Sequence, residues 1–226
     1  MRAMILAAGR GQRMRPLTDT LPKPLLRAGR HSLIEYHLLK LARVGVREVV
    51  INHAWLGAKI EHYLGDGSRY GVRIRYSSEP EGGLETAGGI IRALPLLGDE
   101  PFWVINGDIY TDFDFHGLPQ KLAANIDAHL LLVDNPPHHP QGDFAVDNGL
   151  LIESRPNRRT YTFSGMGLYH PQFFAKYTAG AELFVPLRPL LNDALQQQRI
   201  SASVFSQRWV DVGTPERLAE LNKELG

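Results

Sequence analysis

Strand-like and helix-like stretches alternate along the first 110 residues of this 226-residue chain. That alternation predicts an α/β fold, with a mixed, mainly parallel sheet and helices on both faces. Two further observations support it. The apolar runs are short and rich in Val, Ile and Leu, as strands buried on both faces must be. Polar or glycine-rich loops follow those runs, where ligands of such sheets bind, outside the carboxyl ends of the strands.

The elements follow in order. An apolar strand is expected at residues 4–8, then a glycine loop. Ser32 caps a helix, with Glu35 three residues on as a capping box, and Gly45 ends it. Leu33, Ile34, His37, Leu38, Leu41, Ala42 and Val44 make its apolar face. A strand at 48–52, a helix at 55–64, a strand at 72–77, a helix at 85–94 and a strand at 102–105 complete the regular half. Pro95 is expected to lie just beyond the fourth of these, because proline interrupts a helix interior. The second half is less regular. A strand is expected at 128–133, and a hairpin joins 144–146 to 150–153 around Asp147-Asn148-Gly149. A long strand at 160–169 is broken by Gly165 and Gly167. Helices at 171–177 and 185–197, strands at 203–205 and 209–212, and a helix at 215–225 capped by Thr214 finish the chain. No shift in composition marks a boundary, so residues 1–226 read as one domain, with a regular half, 1–110, and a less regular half, 111–226.

Composition narrows the function. Apolar residues make up 43% and charged residues 22%, as in ordinary globular proteins. A net charge of +1 gives no argument for nucleic acid or an anionic membrane. The absence of cysteine removes disulfides, thiolate nucleophiles and cysteine metal sites. No apolar run approaches the ~20 residues that span a bilayer, and no leader pattern precedes the first strand, so a soluble cytoplasmic protein is expected. The sequence leaves the oligomeric state open, with a monomer sufficient.

The most informative stretch is AMILAAGRGQRMRPLTDTLPKP, residues 3–24. A strand runs into a loop with Gly9 and Gly11 and the cations Arg10, Arg13, Arg15 and Lys23. Glycines let backbone N–H groups approach phosphate oxygens, and cations neutralise the remaining charge. So many cations on one turn would repel one another without an anion; the plainer reading is a tight turn with a solvated basic face. The loop is no P-loop, because Lys-Ser or Lys-Thr does not follow the second glycine, and it lacks the third glycine of a dinucleotide fingerprint. Asp108, after Asn106-Gly107 at a strand end, and Asp211, between two valines beside Trp209, are candidate Mg²⁺ ligands. A surface turn for the first and local backbone bonding for the second are the alternatives. The segment 78–89, SEPEGGLETAGG, exposes backbone groups before a helix, where they can read a flat base. A flexible loop with a helix cap is its plainer reading. The nine histidines show no spacing for a zinc site, and His138 and His139 read as loop residues edging a cleft.

The run LAAGRGQRMRPLTDTLPKP resembles the signature of the sugar-1-phosphate nucleotidylyltransferases, G-x-G-T-R-x-x-P-x-T followed by P-K, with Gln12 where Thr is common. The resemblance implies their Rossmann-like nucleotide-diphospho-sugar transferase fold. It assigns catalysis to Arg13 and Lys23, and the nucleotide to Leu6, Ala7, Ala8, Gly9, Gly11, Gln12, Arg13, Glu81, Gly83, Thr86, Asn106 and Gly107. It makes Asp108 and Asp211 the ligands of a Mg²⁺ cofactor, and Asp143, Glu153, Arg155 and Gly165 the sugar contacts. Glu153-Ser154-Arg155-Pro156 stands where the family has E-K-P, so Arg155, Arg158 or Arg159 replaces its lysine or the arginines are simply solvated. The partners implied are a nucleoside triphosphate and a sugar-1-phosphate, with neither nucleic acid nor membrane. Segments such as LIEYHL, INHAWLG, LETAGG and FSGMGLYHP resemble those of family members that use UTP and an N-acetylmuramate-1-phosphate acceptor in cell-wall sugar recycling, and the resemblance implies those substrates here. Guanylyl transfer to mannose-1-phosphate and thymidylyl transfer to glucose-1-phosphate share every motif. A non-catalytic nucleotide-sugar sensor is the reading from another class.

Overall fold

The computed structural model describes residues 1–154 and 157–226. Its elements are β1 (Arg2–Leu6), α1 (Leu17–Thr20), β2 (Arg27–Ala28), β3 (His31–Ser32), α2 (Leu33–Arg43), β4 (Glu48–His53), α3 (Gly57–Leu64), β5 (Arg73–Ser78), α4 (Glu85–Leu97), β6 (Phe102–Asn106) and β7 (Ile109–Thr111). Then come β8 (Ala128–Val133), β9 (Ala145–Asp147), β10 (Leu150–Ile152), β11 (Thr162–Tyr169), α5 (Leu187–Gln196), β12 (Ile200–Val204), β13 (Trp209–Asp211) and α6 (Pro215–Leu225).

Nine strands form one mixed sheet in the order β5-β4-β1-β6-β11-β8-β12-β10-β9. The first four are parallel, β11 runs antiparallel between β6 and β8, and β12 is parallel to β8. The expected α/β class is therefore found. Alternate side chains of each central strand enter opposite cores, as the period of two demands. Ala3, Ile5, Val49, Ile51, Trp103 and Ile105 meet Ile34, Leu38 and Leu41 of α2 and Ile60 of α3. Met4, Val50, Phe102 and Val104 meet Ile90, Ile91 and Leu94 of α4 and Leu190 and Leu191 of α5. A smaller third core joins Met14 and Leu33 to Val212, Leu218 and Leu221, which docks α6 under the first loop.

The start of α2 follows its sequence signal. The Glu35 carboxylate accepts from the Ser32 backbone N–H at 2.7 Å and from its hydroxyl at 2.9 Å. The β9–β10 turn does so too, with Asn148 at φ 48° and Gly149 at φ 79°. Several expectations need correction. Helix α4 continues through Pro95 to Leu97. Proline deprives the Ile91 carbonyl of its partner, and the Gly180 N–H supplies one instead at 2.9 Å. Helix α3 begins at Gly57, because Leu56 is left-handed at φ 52°. Helix α5 begins at Leu187, because Val185 is taken up in backbone bonds with α4: its N–H donates to Leu84 O and its carbonyl accepts from Gly88, each at 3.0 Å. The helix expected at 171–177 is a 3-10 turn, Pro171–Phe174, pinned by the buried Phe174. The strand expected at 203–205 is longer and earlier, at β12. Strand β7 was not expected; it pairs with β13, setting Asp211 opposite Ile109.

Candidate active site

A cleft of about 290 Å³ opens at the carboxyl ends of β1, β4 and β6. It is lined by Leu6, Ala7, Ala8, Gly9, Lys23, Pro24, Asn52, Glu79, Gly82, Gly83, Leu84, Glu85, Thr86, Asn106 and Asp108. Its floor depends on Gly107, whose N–H donates to Leu6 O at 2.9 Å. A Cβ on Gly107 would stand 2.7 Å from that oxygen, so only glycine lets the ends of β1 and β6 approach this closely.

Two walls of the cleft are tied together by a chain of hydrogen bonds through Asn52 and Glu79. Ala7 N–H donates to Asn52 Oδ1 at 2.9 Å, Asn52 Nδ2 donates to Glu79 Oε1 at 2.6 Å, and Leu84 N–H donates to Glu79 Oε2 at 2.8 Å. Glu79 is buried, and burial pushes its carboxyl above the usual range against the lowering effect of those two bonds. Gly89 leaves room for the pair, since a Cβ there would lie 2.4 Å from Glu79 Oε1. Neither Asn52 nor Glu79 was expected at the site. The polar identity of Asn52 at the end of the apolar run Val49-Val50-Ile51 was the available signal; Glu79 follows the mixed strand β5 and gave none.

At the phosphate-loop side, Lys23 Nζ donates to Asp108 Oδ2 at 2.5 Å. Lys23 is buried and Asp108 is partly solvated. Arg10 is committed elsewhere: it donates to Thr18 O at 2.9 Å and stacks 3.8 Å over the Trp55 ring. Asp19 pairs with Arg10 at 3.1 Å and with Arg15 at 3.2 Å. The basic turn thus contains its own counter-anion, and the argument that these cations need an external one is weakened. Gly11 takes the left-handed conformation, at φ 66°. Arg13 and Gln12 are exposed and do not line the cleft, and neither does Glu81.

Asp211 lies next to Asp108 in the small ladder, where Val212 N–H donates to Asp108 O at 3.0 Å. Its Oδ1 lies 2.9 Å from His138 Nε2, and its Oδ2 pairs with the Arg217 guanidinium. His138, read from the sequence as a loop residue, thus has an acidic partner that only folding brings to it, whereas the partner of His139 lies four residues on. His139 faces Asp143 at 3.4 Å. Asp143 also accepts from Phe163 N–H at 2.9 Å and from Arg188 at 3.2 Å. Gly165, at φ 79°, packs against Asn106 on the cleft. Glu153 is exposed and away from the lining, and Arg155 lies outside the described residues. Arg158 pairs with Asp147 at 3.4 Å and Arg159 with Asp134 at 2.7 Å, so both are engaged on the surface.

Among the described residues, no three His, Cys, Asp or Glu side chains are grouped as a metal cage. Magnesium does not need one, since one or two carboxylates plus phosphate oxygens and waters suffice. The carboxylates of Asp108 and Asp211 are hard-oxygen donors of the right kind. Asp211 Oδ1 is buried with no well-formed hydrogen bond despite its proximity to His138, which fits an oxygen completed by a cation. Among the described residues, no helix is long and apolar enough to cross a membrane.

A cleft at strand ends, floored by glycine and edged by a lysine–aspartate pair, offers a cation and hard oxygens of the kind that phosphate-bearing ligands need. The chain belongs to the nucleotidyl transferase family, whose sequence model matches residues 2–226. It is 53% identical to the N-acetylmuramate alpha-1-phosphate uridylyltransferase of Neisseria meningitidis serogroup B, covering 100% of this chain and 99% of that protein. It is 38% identical to the UTP–glucose-1-phosphate uridylyltransferase of Synechocystis, with 94% of this chain matched but only 60% of that longer protein. Among solved structures, the inositol-1-phosphate CTP transferase from T. maritima shares the fold at a TM-score of 0.78 and 18% identity, covering 99% of this chain and 95% of that one. The expected family and fold are thus found.

Proposed function

We propose that this chain transfers a uridylyl group from UTP to N-acetylmuramate-1-phosphate and releases pyrophosphate. The observation that carries the reaction is the Lys23–Asp108 pair at the edge of the strand-end cleft. The choice of substrates is supported by the full-length likeness to the Neisseria enzyme. Residues 1–226 would act as one unit in the cytoplasm, in recycling of cell-wall sugars, with 1–110 holding the nucleotide and 111–226 the sugar.

A sugar-phosphate oxygen attacks the α-phosphorus in line, and the electron pair of the breaking P–O bond leaves with pyrophosphate. The nucleophile is already an anion, so no general base is required. Positioning and charge neutralisation supply the catalysis. Lys23 balances charge on the α-phosphate, and Arg13 swings from its exposed position onto the leaving pyrophosphate. Gly9 and Gly11 offer backbone N–H groups to the triphosphate. Leu6, Ala7, Ala8, Gly83 and Thr86 border the nucleoside, with Gln12 and Glu81 at the rim. Asn106 and Gly107 border the nucleotide where it meets the second half, and Gly165 borders the sugar phosphate, with Asp143 and Glu153 further out. Asp108 and Asp211 would hold Mg²⁺, which supplies charge neutralisation between the phosphates of the two substrates.

The test is Mg²⁺-dependent pyrophosphate release over a grid of UTP, dTTP, GTP and ATP against N-acetylmuramate-, N-acetylglucosamine-, glucose- and mannose-1-phosphate. Signal confined to UTP with N-acetylmuramate-1-phosphate is expected. Preference for GTP with mannose-1-phosphate would keep the chemistry and discard the recycling role. Tight triphosphate binding with no pyrophosphate from any pair would make the chain a sensor.

A further inference from the structure

The geometry points to Glu85 as the residue that selects ribonucleotides over deoxyribonucleotides, its carboxylate accepting from the ribose hydroxyls of the bound triphosphate. This rests on the nucleotidyl-transfer reading of the same cleft and deepens it.

Glu85 has φ 63°, in the left-handed region that costs glycine nothing and a side chain something. The same loop meets that need with glycine twice, at Gly82 with φ 100° and Gly83 with φ 76°. At position 85 it carries a glutamate. A side chain retained where glycine would be easier is a sign that the side chain is used. Its place shows where. Glu85 lines the cleft between Leu84 and Thr86, and it is exposed. Among the described residues its carboxylate makes no hydrogen bond or ion pair.

Charge decides which part of the ligand it meets. The phosphate end of the cleft is marked by Gly9 and Lys23, where the carboxylate of Asp108 is paired with the lysine; a second carboxylate without a cation there would repel the triphosphate. Glu85 therefore faces the uncharged nucleoside end, where it needs hydrogen-bond donors. A ribose offers two adjacent hydroxyls to the two oxygens of one carboxylate, in charge-assisted bonds. The wall that carries Glu85 is held in register by the Glu79 carboxylate, which accepts from Leu84 N–H at 2.8 Å, so the carboxylate is presented from a fixed backbone. A glutamate in the first turn of α4 also suits the helix dipole, a role that would act on stability and not on the choice of sugar.

The experiment compares UTP with 2′-deoxyuridine triphosphate, and with CTP and GTP, for the wild type, Glu85→Gly and Glu85→Gln. Pyrophosphate release with N-acetylmuramate-1-phosphate and calorimetric binding of each triphosphate are both read. The wild type is expected to prefer UTP by about tenfold or more, a discrimination of the size one lost hydrogen bond gives. Glu85→Gly should bring the ratio close to one, mainly by weakening UTP, and should melt no lower than the wild type because the left-handed backbone is relieved. Glu85→Gln should keep part of the preference. Equal binding of the two triphosphates by the wild type overturns the inference, as does an unchanged ratio in Glu85→Gly. So does a variant that alters preference among UTP, CTP and GTP but not between the two sugars, which would make Glu85 a base reader. Absence of pyrophosphate from the wild type with the binding ratio intact would fail the transfer reading alone.

Discussion

Lys23 and Asp108 are 85 residues apart in sequence and meet at 2.5 Å, with the lysine buried and the aspartate partly open to water. Folding thus stores a cation and a carboxylate against each other where a phosphate and a divalent ion would each claim one.

Lys23→Ala is expected to lower kcat/KM for pyrophosphate release by about 10²–10³-fold, the usual effect of removing one charge-stabilising group. Water reaches the Asp108 left behind, so circular dichroism and melting should stay close to wild type. Asp108→Asn should show a similar loss of turnover, since its amide oxygen can still accept from Lys23 but holds a cation poorly. Full activity in either variant would remove the pair from the mechanism.

Asp211→Asn should raise the Mg²⁺ concentration needed for half-maximal rate by about tenfold or more, the scale on which losing one carboxylate ligand acts. Titration of rate against Mg²⁺ reads it. A variant with the wild-type Mg²⁺ curve would leave Asp211 as a partner of His138 and Arg217 only.

Gly165→Ala is expected to destabilise by roughly 1–3 kcal/mol, because the position is left-handed and its Cβ would stand 2.6 Å from the Asn106 side chain. Denaturant unfolding measures the cost. The KM for the sugar phosphate should rise with it, because Asn106 lines the cleft.

His37 supplies a pH dependence. It is buried, its Nε2 lies 2.9 Å from Ile109 O, and burial lowers its pKa from 6.5 to about 4. The folded state therefore keeps this imidazole neutral where the unfolded chain protonates it. The stability this contributes is fully present above pH 6.5 and is lost as the pH falls toward 4. The loss amounts to roughly 3 kcal/mol at most. His37→Gln, which keeps a donor for the carbonyl, should flatten the stability curve between those values. A curve as steep as wild type would move the acid sensitivity to other groups.

The sequence showed what is local. The Ser32–Glu35 start of α2, the Asn148-Gly149 turn, the central parallel strands and the glycine loop each announce themselves within a few residues. Less legible was whatever depends on a partner far along the chain. Nothing near Pro95 reveals that Gly180 will serve the Ile91 carbonyl, so the end of α4 was placed too early. The Asn52–Glu79 bridge, the β7–β13 ladder and the contact of His138 with Asp211 are likewise made by residues that only folding brings together. The arginines at 158 and 159 look free in sequence, and they are spent on Asp147 and Asp134.

The short segment 180–185 places three backbone bonds on α4, through Gly180 to Ile91, Val185 to Leu84, and Gly88 to Val185. The first turn of that helix is a wall of the strand-end cleft. During synthesis, therefore, the residues that hold the base end of the cleft emerge long after the glycine loop. A chain stopped short of residue 180 has Gly9, Gly11 and Lys23 but lacks all three bonds that brace the start of α4 against the second half.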